Sequence, residues 1–195
     1  MVHASPASAK TVLRLELRGR RRAMAAAAPD AAIRAAEKFP EKRLTDFKIV
    51  AGYQARGGEI DPWPLMQRLA KAGATLALPV ATGRDSPLTF RAFAPGDSLA
   101  PDAVGIASPL EDAPEVAPDL VITPLLAFDR RGARIGQGGG HYDRTLAALR
   151  ERADVFVLGL AYAGQQVAAL PVEEHDESLD AILTERGYIE AQKEF

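Results

Sequence analysis

A glycine-rich segment late in the chain has the residue types and spacing of a site for phosphate groups. It reads Arg134-Ile135-Gly136-Gln137-Gly138-Gly139-Gly140-His141-Tyr142-Asp143-Arg144 and follows an apolar, strand-like run over 120–128. Glycine permits positive φ and lets an anion approach backbone N–H groups, which a helix N-terminus also favours. Arg134 and Arg144 add positive charge suited to phosphate oxygens, and Asp143 offers a carboxylate to a hard cation such as Mg²⁺. We interpret the segment as a polyphosphate site with a metal.

The loop differs from both common nucleotide-binding fingerprints. It has no lysine followed by Ser or Thr, as a P-loop requires, and it lies too late in the chain for a dinucleotide fingerprint. A glycine-rich loop alone is equally consistent with a tight turn. The flanking arginines and Asp143 therefore favour the phosphate interpretation.

Three other segments carry polar residues that chemistry could use. Lys10, Arg14 and Arg18 are spaced four residues apart and share one face of a predicted helix, either as a solvated basic face or as cations that close over phosphates. Glu59 follows a predicted strand end, where binding residues are expected, although it is also a plausible turn carboxylate. Asp176 lies in a loop over 171–176 that, without further context, is simply acidic.

Residues 124–144 resemble the signature of the 5-formyltetrahydrofolate cyclo-ligase family, also called methenyltetrahydrofolate synthetases. Two departures are visible, because Leu125 stands where the family usually has Gly and His141 where it usually has Tyr or Phe. The N-terminal motif Lys-x-x-Leu-Arg of the family is matched by residues 10–14, and its Tyr followed by Glu is matched by Tyr53 and Glu59. The three motifs occur in the expected order.

The resemblance implies a role for each matching position. The ATP-binding residues would be Lys10, Arg14, Arg134, Ile135, Gly136, Gln137, Gly138, Gly139, Gly140, His141 and Tyr142. The folate would contact Gln54 and Glu59, Mg²⁺ would be held by Asp143 and Asp176, and Arg134 and Tyr142 would be catalytic. His141 would either stack on a ligand or donate a hydrogen bond to phosphate.

The implied reaction is ATP- and Mg²⁺-dependent conversion of 5-formyltetrahydrofolate to 5,10-methenyltetrahydrofolate, with release of ADP and phosphate, through a phosphorylated formyl intermediate. Two alternatives are a nucleotide- or folate-binding protein without turnover and an RNA-binding protein that uses the basic N-terminus. Asp143 and Asp176 argue against a protein that only binds, because binding alone does not require a pair of metal-binding carboxylates. The acidic remainder of the chain argues against RNA binding.

Composition places the protein among ordinary soluble enzymes. The 195 residues are 47% hydrophobic and 26% charged, with a net charge of −2, no cysteine and no long apolar run. We therefore expect a cytoplasmic monomer with no nucleic-acid or membrane partner. The absence of cysteine excludes a catalytic thiol.

The predicted elements form a single-domain layered α/β fold with a largely parallel central sheet flanked by helices. Residues 1–8 are expected to be a disordered lead-in and 9–195 the cyclo-ligase-like domain. Predicted helices cover 9–28, 30–39, a segment beginning at Pro62 or Pro64, 143–152 and 178–185, and predicted strands cover 48–53, 75–80, 88–93, 120–126 and 155–160. The stretch over 95–118 is expected to be a long loop with little regular structure. Ligands of such sheets bind beyond the carboxyl ends of strands.

Overall fold

A computed structural model describes residues 6–173 and 175–192, with residues 6–11 described as backbone only. Its main feature is a seven-stranded sheet in the order β11-β10-β9-β6-β1-β2-β3. These strands are β1 (Ile49–Ala51), β2 (Thr75–Ala81), β3 (Leu88–Ala92), β6 (Leu120–Pro124), β9 (Phe156–Leu160), β10 (Ala181–Thr184) and β11 (Gly187–Glu190). Two short hairpins complete the strands: β4 (Leu99–Pro101) with β5 (Ala107–Pro109), and β7 (Ala127–Phe128) with β8 (Arg134–Ile135).

The five inner strands are parallel, and the strand at each edge is antiparallel. From β1 the chain passes to β2 on one side, and later to β6 and β9 on the other side. The direction of winding therefore reverses between β1 and β6. The connections that leave the carboxyl ends of these two strands run in opposite directions and leave a crevice, which is where ligands bind in open α/β sheets.

Helices cover both faces of the sheet because its central strands are apolar on both sides. The helices are α1 (Pro6–Ala27), α2 (Ala31–Lys38), α3 (Trp63–Lys71) and α4 (His141–Arg150). Along β1, Val50 packs in one core with residues of α2 and α3, whereas its neighbour Ala51 packs in a second core with Leu146 of α4. The side chains of a strand alternate between faces, so each strand contributes to both cores.

The predicted fold class is confirmed, with three local corrections. Helix α1 includes residues 6–8, which we expected to be a lead-in, and residues 1–5 lie outside the described part of the chain. The expected helix over 178–185 is wrong, because 181–184 form the fully buried strand β10. A short apolar run does not distinguish a helix from a strand. Here parallel pairing with β9 makes residues 181–184 a strand. The expected loop over 95–118 contains the β4–β5 hairpin.

Among the described residues, no helix is both long enough and apolar enough to cross a membrane.

Candidate active site

A cavity of about 1180 Å³ opens beyond the carboxyl ends of β1 and β6, at the crevice predicted by the strand order. Every predicted site residue whose side chain is described lines it. They are Arg14, Gln54, Glu59, Arg134, Ile135, Gly136, Gln137, Gly138, Gly139, Gly140, His141, Tyr142, Asp143 and Asp176. The side chain of Lys10 lies outside the described residues, although its backbone is part of α1. Four separated sequence segments thus converge on one cavity.

The glycine loop between β8 and α4 has the backbone geometry that its composition predicts. Gly138 and Gly140 have positive φ values of 101° and 64°, and Gly140 is the N-cap of α4. Helix α4 therefore begins at His141, two residues earlier than predicted, and the loop ends at a helix N-terminus. The backbone N–H groups of 136–140 donate no hydrogen bond to the described part of the chain. They are available to an anion.

Three arginines hold the carbonyl oxygens of this loop. The guanidinium of Arg14 donates to the Gly136 carbonyl at 3.3 Å, that of Arg18 to the Gln137 carbonyl at 3.1 Å, and that of Arg144 to the Gly139 carbonyl at 2.7 Å. The first two arginines come from α1, which therefore lies across the cavity. The loop is held through its carbonyl groups and surrounded by positive charge, while its N–H groups stay unused.

A substitution at Gly136 tests whether phosphate approaches this backbone. Gly136 does not have positive φ, and a Cβ there meets open space, so Gly136→Val is expected to leave the fold intact. The added side chain would keep a ligand from the loop, and we expect ATP affinity to fall at least about tenfold by isothermal titration calorimetry, the loss of one or two charge-assisted hydrogen bonds. Gly138 is a less suitable position, because its φ is positive and a Cβ would lie 3.2 Å from the Arg14 guanidinium.

The control for this variant is Gly187→Val, the same change at an open position of β11. Equal ATP affinities in Gly136→Val and the unmodified protein would mean that the loop is an ordinary turn.

Glu59 is held from three directions beside the glycine loop. Its Oε1 accepts from the Arg21 guanidinium at 3.2 Å and from the Gln137 amide at 3.3 Å, and its Oε2 accepts from the Arg56 backbone N–H at 3.0 Å. Arg21 is 2% exposed and also donates to the Leu125 carbonyl, just beyond β6. A carboxylate has about four acceptor positions. Glu59 is thus a fixed anion that retains capacity for a ligand.

Arg134 and Asp143 form an ion pair at the other side of the loop. Their closest atoms are 2.6 Å apart, and the Arg134 side chain is 5% exposed. Arg134 also donates to the Glu177 carbonyl. The backbone N–H of Glu177 in turn donates to Asp143 at 3.3 Å. Burial lowers the pKa of Arg134, and the negative charges of Asp143 and Asp176 oppose that shift. Arg134 therefore presents a fixed cation to the cavity.

Two tyrosine side chains face the same cavity. Burial, with the negative charge of Glu59 adding to it, raises the pKa of the Tyr142 phenol far above its usual range, against the opposing charge of Arg134. The pKa of Tyr53 is also raised, chiefly by burial, and its hydroxyl donates to the Ile60 carbonyl at 2.6 Å. Tyr142 is thus a neutral phenol at physiological pH. The neutral phenol can donate a hydrogen bond that orients a ligand.

His141 lies in the first turn of α4. Its Nδ1 is 3.2 Å from the Ser86 carbonyl, which can only accept, so Nδ1 carries the proton in this contact. The Nε2 atom is then an acceptor in the neutral ring and a donor in the protonated ring. Both predicted roles, stacking and phosphate contact, stay open to this residue.

The acidic loop beside the cavity contains the second predicted metal ligand. Side-chain atoms of Glu173, His175 and Asp176 lie within 4.8 Å of one another, and Asp143 is not part of this group. Asp143 and Asp176 nevertheless both line the cavity, and both act electrostatically on Arg134. Carboxylate oxygens beside a phosphate site are the ligands that Mg²⁺ prefers, whereas imidazole suits other metals. The ligand types of Asp143 and Asp176 therefore suit Mg²⁺, and both residues line the cavity that holds the glycine loop.

The sequence interpretation did not assign a role to several cavity residues. Arg18 and Arg21 were left without one, although the helical spacing from Arg14 to Arg18 indicates a shared face. Val104 and Ile106, from the β4–β5 hairpin, add an apolar wall. They lie in a segment without regular periodicity, so no pattern in the sequence indicates them.

Comparison with known proteins identifies the family. The sequence pattern of the 5-formyltetrahydrofolate cyclo-ligase family matches residues 6–185. The chain is 39% identical over 143 residues to 5-formyltetrahydrofolate cyclo-ligase of Escherichia coli strain K12, covering 69% of this chain and 76% of that one. It is 31% identical over 196 residues to the protein of the same name from Mycolicibacterium smegmatis, covering 95% and 98%.

A solved structure shares the fold. The NMR structure of Aquifex aeolicus 5,10-methenyltetrahydrofolate synthetase superimposes with a TM-score of 0.77 at 27% identity, covering 95% of this chain and 94% of that one. The match over residues 6–185 includes the glycine loop that carries the family signature. The chain belongs to the 5-formyltetrahydrofolate cyclo-ligase family, a family of ligases.

Proposed function

We propose that this protein converts 5-formyltetrahydrofolate to 5,10-methenyltetrahydrofolate with consumption of ATP. The observation that carries the proposal is one cavity in which an unused set of loop N–H groups, ringed by arginines, lies beside the fixed carboxylate of Glu59. The first feature suits a polyphosphate, and the second suits the donor-rich edge of a pterin. Family membership supports pairing these two ligands.

The distribution of positive charge supports a position for the nucleotide. The triphosphate would lie on the backbone of 136–140 at the N-terminus of α4, with Arg14 approaching from α1. Lys10 is assigned to the nucleotide from the family motif alone. Arg134, held by its ion pair with Asp143 at 2.6 Å, would face the transferring phosphoryl group. This arrangement provides positioning and charge neutralisation, which is most of what phosphoryl transfer needs from a protein.

Glu59 and its neighbours support a position for the folate. The carboxylate would accept two parallel hydrogen bonds from the pterin, and Gln54 lines the same side of the cavity. Tyr142, a neutral phenol at the start of α4, would orient the formyl end of the substrate toward the loop. The two substrates then meet between Glu59 and Arg134.

The reaction follows from the poor leaving ability of a formamide oxygen. Transfer of the γ-phosphoryl group to that oxygen releases ADP and turns the oxygen into part of a phosphate leaving group. The second folate nitrogen then attacks the formyl carbon, the C–O bond breaks, phosphate leaves, and the proton on that nitrogen is lost. Arg134 and the loop amides would stabilise the charge on the transferring group.

Mg²⁺ would be held by Asp143 and Asp176 together with phosphate oxygens and water, and it supplies charge neutralisation to the phosphates when bound. We further propose that the enzyme acts as a cytoplasmic monomer without a nucleic-acid or membrane partner. The net charge of −2 argues against a general nucleic-acid partner, and the absence of cysteine is consistent with a reducing compartment.

The direct test is incubation of the purified protein with 5-formyltetrahydrofolate and MgATP, following the near-ultraviolet absorbance of the methenyl product. We expect product to form only when both substrates are present, with one ADP per product. Tight binding of both ligands without product would instead mean a binding protein.

Glu59→Gln is expected to raise the KM for 5-formyltetrahydrofolate by at least about tenfold, because hydrogen bonds to a charged group are worth about 1.5–3 kcal/mol and the amide accepts only one of the two. ATP affinity measured without folate should change little. The control is Asp61→Asn, a carboxylate-to-amide change at an exposed residue of the same segment, which accepts from the Trp63 N–H at 2.9 Å. Loss of ATP affinity equal to the loss for folate would point to general destabilisation and contradict the assignment.

A further inference from the structure

Gln137 is the one side chain that links the glycine loop both to α1 and to Glu59 within the described residues. Its Oε1 accepts from Arg18 at 2.8 Å, and its Nε2 donates to Glu59 Oε1 at 3.3 Å. The backbone carbonyl of the same residue accepts from Arg18 at 3.1 Å. The bridge therefore crosses from the proposed phosphate loop to the proposed folate carboxylate.

The chemistry of the three groups allows only one arrangement. An arginine donates and does not accept, whereas an ionised carboxylate accepts and does not donate. A side chain between them must offer an acceptor to Arg18 and a donor to Glu59, and an amide does both. The contact of Arg18 with Oε1 turns the NH₂ group toward Glu59, so the orientation of the amide is fixed by its partners.

Glu59 has a buried anchor on its other side. Arg21 donates to Glu59 at 3.2 Å and also to the carbonyls of Gly57, in the turn after β1, and of Leu125, just beyond β6, at 3.2 Å each. The bond from Gln137, by contrast, comes from an exposed residue of a glycine-rich loop. Ordering of that loop by a bound triphosphate would hold the Gln137 amide on Glu59 and fix the carboxylate in one position.

We propose that Gln137 is a positioning residue that couples the two substrate sites, so that a nucleotide on the glycine loop tightens folate binding at Glu59. The inference rests on the proposed function, because it uses the ligands assigned there. Coupling of this kind is reciprocal, and folate tightens nucleotide binding by the same factor. Since the link is a single hydrogen bond to a charged group, we expect each ligand to change the Kd of the other by a factor of about ten.

The test measures the Kd of 5-formyltetrahydrofolate by calorimetry without and with a saturating non-hydrolysable ATP analogue and Mg²⁺. The coupling factor is the ratio of the two Kd values. For the unmodified protein we expect about ten, and for Gln137→Met, which keeps the length but removes donor and acceptor, a value near one. Gln137→Glu keeps the acceptor for Arg18 and places like charge against Glu59, so its factor should also fall to one or below.

Gln67→Met makes the same chemical change at an exposed residue of α3. This variant should have the same coupling factor as the unmodified protein. Equal factors in Gln137→Met and the unmodified protein would overturn the inference, as would a factor of one in an unmodified protein that turns over both substrates. An unmodified protein that binds neither ligand would overturn the proposed function itself. These two failures are therefore distinguishable.

Discussion

Arg134→Ala is expected to lose about 2–4 kcal/mol of transition-state stabilisation, roughly 30- to 900-fold in kcat/KM, because the proposed mechanism uses Arg134 as a preorganised cation for the transferring phosphoryl group. Arg134→Lys should recover only part of this, since an ammonium group cannot replace the planar fork that bonds both Asp143 and the Glu177 carbonyl. The measurement is steady-state kinetics with both substrates varied.

Loss of a buried ion-pair partner also affects folding, so a structural control is needed. Arg150 bonds the same segment as Arg134, through Glu177 at 2.5 Å and the Ser178 carbonyl at 2.9 Å, without a role in the proposed chemistry. Arg150→Ala therefore reports the effect of loosening that segment. Similar losses of kcat in the two alanine variants at similar melting temperatures would remove Arg134 from the chemical step.

Asp143→Asn and Asp176→Asn are each expected to lower kcat by about 100-fold at fixed Mg²⁺ and to raise the Mg²⁺ concentration that gives half-maximal rate. An amide oxygen is a weaker ligand than a carboxylate, and high Mg²⁺ should restore part of the rate. Asp143→Asn also weakens the ion pair with Arg134, so its loss should exceed that of Asp176→Asn.

The matched control is Asp85→Asn, since Asp85 is an exposed carboxylate on the wall of the same cavity. It should keep the unmodified Mg²⁺ dependence. If both site variants show that same dependence, the metal does not bind through Asp143 and Asp176.

The sequence predicted the layered parallel sheet well because its central strands are apolar over their whole length. Runs such as 120–124 and 156–160 contain only residues that suit burial on both faces. It failed at β10, where four buried residues are too few to show a period, and pairing with β9 decides the structure. The β4–β5 hairpin was missed for a related reason. Its turn is held by Asp102, whose carboxylate accepts from the N–H groups of Ala81 and Ile106 at 2.9 Å each.

The residues of the proposed site also fall into those that the sequence indicates and those that it does not. The glycine loop, Glu59 and Asp143 could be located from motifs, because each lies in a short segment whose composition is itself the signal. Arg18 and Arg21 could not be assigned, since a cation on a helix gives no indication of its partner until the helix is placed. Their bonds to Gln137 and Glu59 span 119 and 38 residues of sequence. Such contacts are properties of the tertiary structure.

The crossing of α1 over the glycine loop has a consequence for the order of folding events. The bonds from Arg14 and Arg18 to residues 136 and 137 join positions 122 and 119 apart in the chain. Contacts between distant segments form late, because the entropy of closing a long loop must be overcome before they contribute. A nascent chain that has released its first 100 residues has the helix but lacks the loop. If the proposed function holds, nucleotide meets a complete site only after residues 136 and 137 have docked against α1, and it stabilises the folded molecule rather than an earlier intermediate.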